Sequence, residues 1–162
     1  MPVQHAPLET INDFLAQKRI AMVGISRETP SFSGSLFTEF CRRGYDVVPV
    51  NPNMQVVMGH KCFACVQDIE PPVDAALLMT SPAVTEEVVK DCAEAGIKRV
   101  WMHSGGGQGA VSENAINFCR EKGIGVVPGE CPFMFFPKSG GVHWLHGVLR
   151  KLTGGYPRHT HA

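Results

Sequence analysis

A stretch of serines with one arginine follows the first apolar run of the sequence. It spans residues 24–34, and its polar members include Ser26, Arg27, Ser31 and Ser33. The stretch leads into a predicted helix, whose first backbone N–H groups and positive dipole end attract anions. Hydroxyl donors and a guanidinium add to that attraction, so these residue types favour a pyrophosphate. The alternative is an ordinary strand-to-helix loop in which the serines act as caps.

The glycine pattern of this stretch differs from that of dinucleotide-binding loops. Gly24 and Gly34 are ten residues apart, and the G-x-G-x-x-G pattern is absent. The next apolar run ends in Val50, Asn51 and Pro52, without the acidic residue that binds a ribose 2′-hydroxyl in NAD-dependent proteins. Both differences argue against an NAD site.

Small polar residues and one cysteine follow the later apolar runs. They are Thr80, Ser81, Pro82, His103, Ser104 and Cys131. Small side chains at such positions let a ligand pass close to the backbone. For the glycines after Ser104 the alternative is a flexible surface turn. For Cys131 the alternative is a small apolar filler.

The other cysteines and the histidines do not form a metal-binding pattern. Cys62 and Cys65 make a C-x-x-C, but a zinc site needs further ligands at matching spacing, and the remaining cysteines are isolated. Cys41, Cys92 and Cys119 fall on apolar faces of predicted helices, which is typical of reduced, buried thiols. The C-terminal histidines at positions 143, 146, 159 and 161 are expected to be solvated. The sequence therefore predicts no metal site.

Apolar runs alternate with helical patterns along the whole chain. Strands are predicted at residues 20–24, 46–50, 74–79, 98–102 and 124–127, and helices at 8–15, 34–43, 81–96, 112–123 and 143–152. Thr10 or Asn12 is a candidate cap for the first helix, and Pro49 predicts a poorly paired end for the second strand. Continuously apolar strands that alternate with helices predict an α/β fold, a Rossmann-like doubly wound parallel sheet with helices on both faces. Ligands of such sheets bind beyond the carboxyl ends of the strands.

Length and charge limit the classes of partner. The chain has 162 residues, enough for one domain over positions 1–162, and its formal net charge is zero. A neutral balance argues against broad nucleic-acid binding, which needs a basic surface. The sequence has no signal-peptide pattern and no apolar run of membrane-spanning length, so we expect a cytoplasmic protein without membrane contact.

Several short segments, in this order, resemble one family. They are V-G-I-S at 23–26, P-S-F-S at 30–33, G-Y-D-V-V-P-V-N-P-N at 44–53, G-H-K at 59–61, D-I at 68–69, P-V-D at 72–74, G-I-K-R-V-W at 96–101 and C-P at 131–132. Over residues 8–135 the chain resembles stand-alone bacterial CoA-binding domain proteins. These are related to the N-terminal domain of the succinyl-CoA synthetase α subunit and of ADP-forming acyl-CoA synthetases. Residues 136–162, a predicted helix and tail, fall outside the resemblance.

The resemblance implies a role for each loop. Residues of the first loop would hold the CoA phosphates; they are Gly24, Ser26, Arg27, Ser31, Phe32 and Ser33. Asn51, Pro52 and Asn53 would border the nucleotide. Thr80, Ser81, Pro82, His103 and Ser104 would flank the adenosine and pantetheine parts, and Cys131 would lie near the ligand.

The expected function is therefore non-catalytic binding of CoA or an acyl-CoA, as a sensor or carrier. The synthetases catalyse with a phosphorylated histidine on a second domain and with ATP from a partner, and neither is expected in this sequence. The alternative is a small NAD(P)-dependent oxidoreductase, which rests on fold analogy alone.

Overall fold

The helices and strands of the chain alternate much as the sequence predicts. The computed structural model describes residues 5–28, 30–105 and 107–137, so the predicted helix 143–152 and the tail histidines lie outside the described residues. The helices are α1 (Leu8–Leu15), α2 (Phe32–Arg42), α3 (Pro82–Glu94) and α4 (Glu113–Glu121). The strands are β1 (Arg19–Val23), β2 (Asp46–Val50), β3 (Val56–Val57), β4 (His60–Lys61), β5 (Ala75–Leu78), β6 (Arg99–Met102) and β7 (Gly125–Pro128).

Within the described part of the chain, no helix combines the length and apolar character needed to span a membrane.

Five of the strands form one parallel sheet in the order β2-β1-β5-β6-β7. The chain runs outward from β1 to β2, then crosses back to β5 on the other side of β1. This reversal is the topological switch point of a doubly wound sheet, where ligands of this fold class bind. The prediction of a Rossmann-like α/β fold is confirmed.

Two apolar layers cover the sheet, one on each face. Ile20 and Met22 of β1 point to the layer that contains α1 and α2. Ala21 and Val23 point to the opposite layer, with α3 and α4. Because both faces are covered, every strand of the sheet must be apolar at successive positions, which explains why the sequence shows runs and not alternation.

The start of α2 and the cap of α1 differ from their predictions. Helix α2 begins at Phe32 and not at Gly34, because the side chain of Ser31 accepts a hydrogen bond from the Gly34 N–H and so serves as the N-cap. Helix α1 begins at Leu8 after Pro7, without a side-chain cap, and the predicted caps Thr10 and Asn12 lie inside it.

The segment after β2 is more regular than predicted. The prediction of a poorly paired end at Pro49 is wrong, since β2 pairs with β1 through Val50. Pro49 lies on an edge strand, and its carbonyl accepts from Phe63 N on the side away from β1, so its missing N–H costs no bond to β1. Strands β3 and β4 then form a short antiparallel hairpin between the predicted strands 46–50 and 74–79.

Candidate functional site

The loop between β1 and α2 is held in shape by its own serines. Ser33 Oγ accepts from Ser26 N at 2.9 Å, Ser31 Oγ accepts from Gly34 N at 3.1 Å, and the two hydroxyl oxygens lie 3.3 Å apart. Ser33 is buried and Ser31 half-buried. The serine hydroxyls therefore stabilise the N-terminal end of α2. The side chains of the half-buried Ser31 and the exposed Ser26 remain accessible from solvent.

Asn51 and Arg27 fasten this loop to the segment after β2. The Asn51 amide donates to Ile25 O at 2.9 Å, and its oxygen accepts from Asn53 N at 2.9 Å. The Arg27 guanidinium donates to the Asn53 carbonyl. The guanidinium is thereby held against the segment after β2, while the Arg27 side chain and Pro52 stay exposed.

The loop after β5 closes tightly against the end of β1. A Cβ on Gly24, which has a φ of +90°, would stand 2.7 Å from the Met79 carbonyl oxygen. Thr80 Oγ1 lies 2.6 Å from the hydroxyl of the buried Thr85, which ties this loop to α3. Ser81 occupies the N-cap position of α3 without a side-chain hydrogen bond, and Pro82 is the first helical residue.

An aromatic cluster of Phe32, His103 and Phe133 joins the first loop to the loops after β6 and β7. The rings of Phe32 and His103 are stacked, with centroids 4.8 Å apart at an angle of 30°. Phe133 packs edge-on against Phe32 at 5.7 Å. Phe32 is 42% exposed, so the cluster presents an apolar surface to solvent at the sheet edge.

His103 is an ionisable group at this edge whose pKa is strongly shifted. Its backbone N–H donates to Leu78 O at 3.0 Å, which fixes the residue directly after β6. Burial lowers the pKa of the imidazole to about 4, so the ring is neutral at neutral pH. Its Nε2 atom is buried and has no hydrogen-bond partner among the described residues. Ser104, the next residue, is half-buried and donates to Gly107 O within its own loop.

Cys131 lies after β7 beside a buried carboxylate. Burial raises the pKa of the half-buried Cys131 thiol. The neighbouring Glu130 is fully buried, with Oε1 at 2.7 Å from His5 Nδ1, and its carbonyl accepts from Trp101 Nε1 at 2.8 Å. This segment is therefore anchored to the core at Glu130.

Two open cavities flank this edge. A groove of about 530 Å³, here named the α2 groove, is lined by Pro30, Ser31, Gly34, Ser35, Thr38, Glu39, Met58 and Phe133. A second cavity of about 400 Å³ lies near the loops after β6 and β7 and is lined by His5, Ser104, Gly107, Gln108, Val111, Glu113 and Gly129. Both contain residues of the loops that the sequence singled out.

The residues predicted for the site follow the carboxyl ends of five parallel strands. The contacts join Arg27 to Asn53, and Phe32 to His103, whereas Thr80 and Ser104 are bonded within their own segments. Phe133 and Glu130 are missed as site residues by sequence reasoning, although both stand in the segment around Cys131 that carries the family resemblance.

The C-x-x-C segment lies close to the strand ends as well. Cys62 is buried, with Sγ at 3.7 Å from the Asn51 carbonyl oxygen, and Cys65 is half-buried. Burial raises the pKa of both thiols. Among the described residues, no group of three or more His, Cys, Asp or Glu side chains is arranged to hold a metal ion.

Comparison with known proteins agrees with this geometry. An uncharacterized protein of Bacillus subtilis, YneT, is 28% identical over 114 residues, which are 70% of this chain and 82% of that protein. The ADP-forming acetate–CoA ligase II of Archaeoglobus fulgidus is 29% identical over 98 residues, so this chain matches 59% of its own length but only 15% of the ligase. A hypothetical protein from Pyrococcus horikoshii has a similar structure, with a TM-score of 0.73, 28% identity, and coverage of 82% of this chain and 91% of that one.

A family model decides the assignment. The model described as a CoA binding domain matches residues 18–137, which include the whole five-stranded sheet and all the loops described above. The chain therefore belongs to the family of CoA-binding domains.

Proposed function

We propose that this chain binds coenzyme A or an acyl-CoA across the carboxyl edge of its parallel sheet. One observation carries the proposal: a cationic loop at a helix N-terminus and an exposed aromatic cluster lie along the same edge. CoA needs both surfaces, since its phosphates require donors and positive charge and its pantetheine arm has apolar methyl and methylene groups between its amides. Arg27 and the start of α2 meet the first need, and Phe32 with Phe133 meets the second.

The parts of the ligand are assigned to the loops as the family resemblance implies. The phosphates take the loop of Gly24, Ser26, Arg27, Ser31, Phe32 and Ser33, and the nucleotide borders Asn51, Pro52 and Asn53. The arm then runs past Thr80, Ser81 and Pro82 towards His103 and Ser104. It ends near Cys131 after β7, at the far side of the sheet from β2.

Within this proposal the domain holds the ligand and performs no chemical step, as in a sensor or carrier. The support comes from the shifted pKa values of His103 and Cys131. An imidazole with a pKa of about 4 is a weak base at neutral pH, and a thiol whose pKa is raised by burial is a poor nucleophile. Nε2 of His103 has no hydrogen-bond partner among the described residues that would activate it.

A ligand panel tests the proposal. Calorimetry and thermal unfolding are recorded with CoA, acetyl-CoA, NADH, NADPH and ADP. A ligand present at 100 times its dissociation constant adds about 2.7 kcal/mol to the free energy of unfolding. We expect CoA or acetyl-CoA to raise the melting temperature more than the other compounds do. Stabilisation by NADH and not by CoA would overturn the proposal in favour of an oxidoreductase.

A further inference from the structure

The cavity of about 400 Å³ near the loops after β6 and β7 is larger than the end of a thiol requires. Its wall includes Ser104, which follows β6, and Gly129, which follows β7. Gly129 stands two residues before Cys131, where the pantetheine arm is proposed to end. The cavity volume lies within the range of small-molecule sites. It therefore has room for a group attached to the sulfur of CoA.

One wall of this cavity is an imidazole whose orientation is fixed by a buried carboxyl group. His5 lines the cavity, and its Nδ1 atom lies 2.7 Å from Oε1 of Glu130. The Glu130 side chain is 1% exposed and the His5 side chain 44% exposed. A buried carboxyl group is costly unless it is hydrogen-bonded, so the pair stabilises one orientation of the ring. In that orientation Nε2 of His5 lies on the side of the ring away from Glu130.

The polar groups of the wall indicate which kind of acyl group the cavity fits. Ser104 Oγ donates its hydrogen to Gly107 O, so the oxygen can only accept from a ligand. Glu113 adds an exposed carboxylate, which disfavours a ligand group of negative charge. A hydroxyl group suits this wall, because it donates to an acceptor and pairs with Nε2 of His5 whether or not that atom carries a hydrogen. A hydrocarbon chain would displace water and replace none of its hydrogen bonds.

We propose that this cavity receives the acyl group of an acyl-CoA and selects a short acyl chain that carries a hydroxyl group, which His5 binds. The inference rests on the CoA binding proposed above. It goes further because it favours a thioester over free CoA as the ligand and names the class of acyl group. Neither the phosphate loop nor the aromatic cluster enters this selection.

Calorimetry on the wild type tests the selection with acyl groups of equal length. The ligands are butyryl-CoA, the two enantiomers of 3-hydroxybutyryl-CoA, and succinyl-CoA, which ends in a carboxylate. We expect one hydroxybutyryl enantiomer to bind roughly tenfold more tightly than butyryl-CoA, equivalent to about 1.4 kcal/mol. Succinyl-CoA should bind more weakly than butyryl-CoA, because its carboxylate would approach Glu113.

A histidine variant tests the role of His5. His5→Phe keeps an aromatic ring and removes both ring nitrogens. The ratio of the hydroxybutyryl-CoA affinity to the butyryl-CoA affinity should fall from roughly ten to roughly one. The matched control is His60→Phe, in which the ratio should stay at the wild-type value. His60 is exposed on β4 and packs edge-on against Phe37.

A measurement without mutation covers the case in which His5→Phe does not fold. The ¹⁵N shifts of the His5 ring are recorded with butyryl-CoA and with the tighter hydroxybutyryl enantiomer. A different Nε2 shift with the two ligands supports the inference. Identical shifts overturn it.

The outcomes separate this inference from the proposed function. A wild type that binds neither CoA nor any thioester overturns both. A wild type that binds CoA but prefers neither hydroxybutyryl enantiomer to butyryl-CoA overturns the acyl selection alone. The same holds if succinyl-CoA binds most tightly, or if His5→Phe keeps the preference for the hydroxyl group.

Discussion

At the residue scale, Arg27 is the cation that the proposed phosphate site depends on. Its guanidinium is held by the Asn53 carbonyl in the segment after β2. Replacing it with alanine removes a charge-assisted hydrogen bond, so Arg27→Ala should weaken CoA binding by roughly 1.5–3 kcal/mol. Calorimetry measures the loss. The control is Arg42→Ala, because Arg42 is exposed at the other end of α2 and paired with Glu39. Equal affinities for both variants and the wild type would remove Arg27 from the site.

His103 makes the stability of the fold depend on pH. Its pKa is lowered from 6.5 to about 4 by burial, so the unfolded chain takes up this proton at a higher pH than the folded chain does. The contribution is fully present above pH 6.5 and is lost as the pH falls from 6.5 to about 4. The shift corresponds to about 3 kcal/mol at most. Urea unfolding at about pH 7 and about pH 4 should show the wild type losing roughly 2–3 kcal/mol more than His103→Phe. Parallel losses in the two proteins would contradict the buried neutral imidazole.

Cys131 should form a mixed disulfide with CoA, but slowly. When the protein is treated with CoA disulfide, the Cys131 thiolate attacks one sulfur and a CoA thiolate leaves. Burial raises the pKa of this thiol, so little thiolate exists near pH 7 and the rate should rise about tenfold per pH unit. Mass spectrometry should find one added CoA that reductant removes. Cys131→Ser should abolish the adduct, whereas Cys65→Ser should not. An adduct that maps to Cys65 would show that exposure and not ligand placement selects the thiol.

At the element scale, the close approach of β1 to the loop after β5 requires Gly24. A Cβ there would meet both a backbone φ of +90° and the Met79 carbonyl oxygen at 2.7 Å. Gly44 is the matched control, since its φ is +87° and nothing lies within 4 Å of its added Cβ. Gly44→Ala should cost about 1 kcal/mol of backbone strain, and Gly24→Ala about 1–3 kcal/mol more from overpacking. Denaturant unfolding compares the two. Equal losses would mean that the loop after β5 can move away from β1.

The helices and strands also show how much of the fold can be predicted from the sequence. The strands are predictable because burial on both faces makes them continuously apolar, as in Ala75–Leu78. Helix α2 starts two residues early because its cap is a hydrogen bond from Gly34 N to Ser31, which composition does not reveal. The candidate site, too, can be predicted from the sequence only in part. Parallel topology predicts which loops meet, but the stack of Phe32 on His103 and the bond between His5 and Glu130 join residues far apart in the chain. Their geometry exists only once the sheet is assembled.

At the scale of the whole molecule, the sheet has two edges of different character. The carboxyl edge carries the serine and arginine loop, the aromatic cluster and Cys131. The opposite edge carries the turns that end the helices, at Gly44 after α2, Gly96 after α3 and Gly123 after α4. A ligand that follows the order β1, β5, β6 and β7 touches the first edge only.

Hydrogen exchange tests this division over the whole chain. With CoA bound, amide protection should rise in residues 24–35, 51–54, 79–82, 103–105 and 129–134, because these follow the carboxyl ends of the strands. It should not change at 43–45, 95–98 and 122–124. Adenosine 3′,5′-bisphosphate serves as the control ligand and should protect the first two segments without those after β6 and β7, since it lacks the arm that crosses the sheet. Protection by CoA that stops at β1 and β2 would place the arm outside the edge and remove Cys131 from the site. Protection at the opposite edge would contradict the proposed site as a whole.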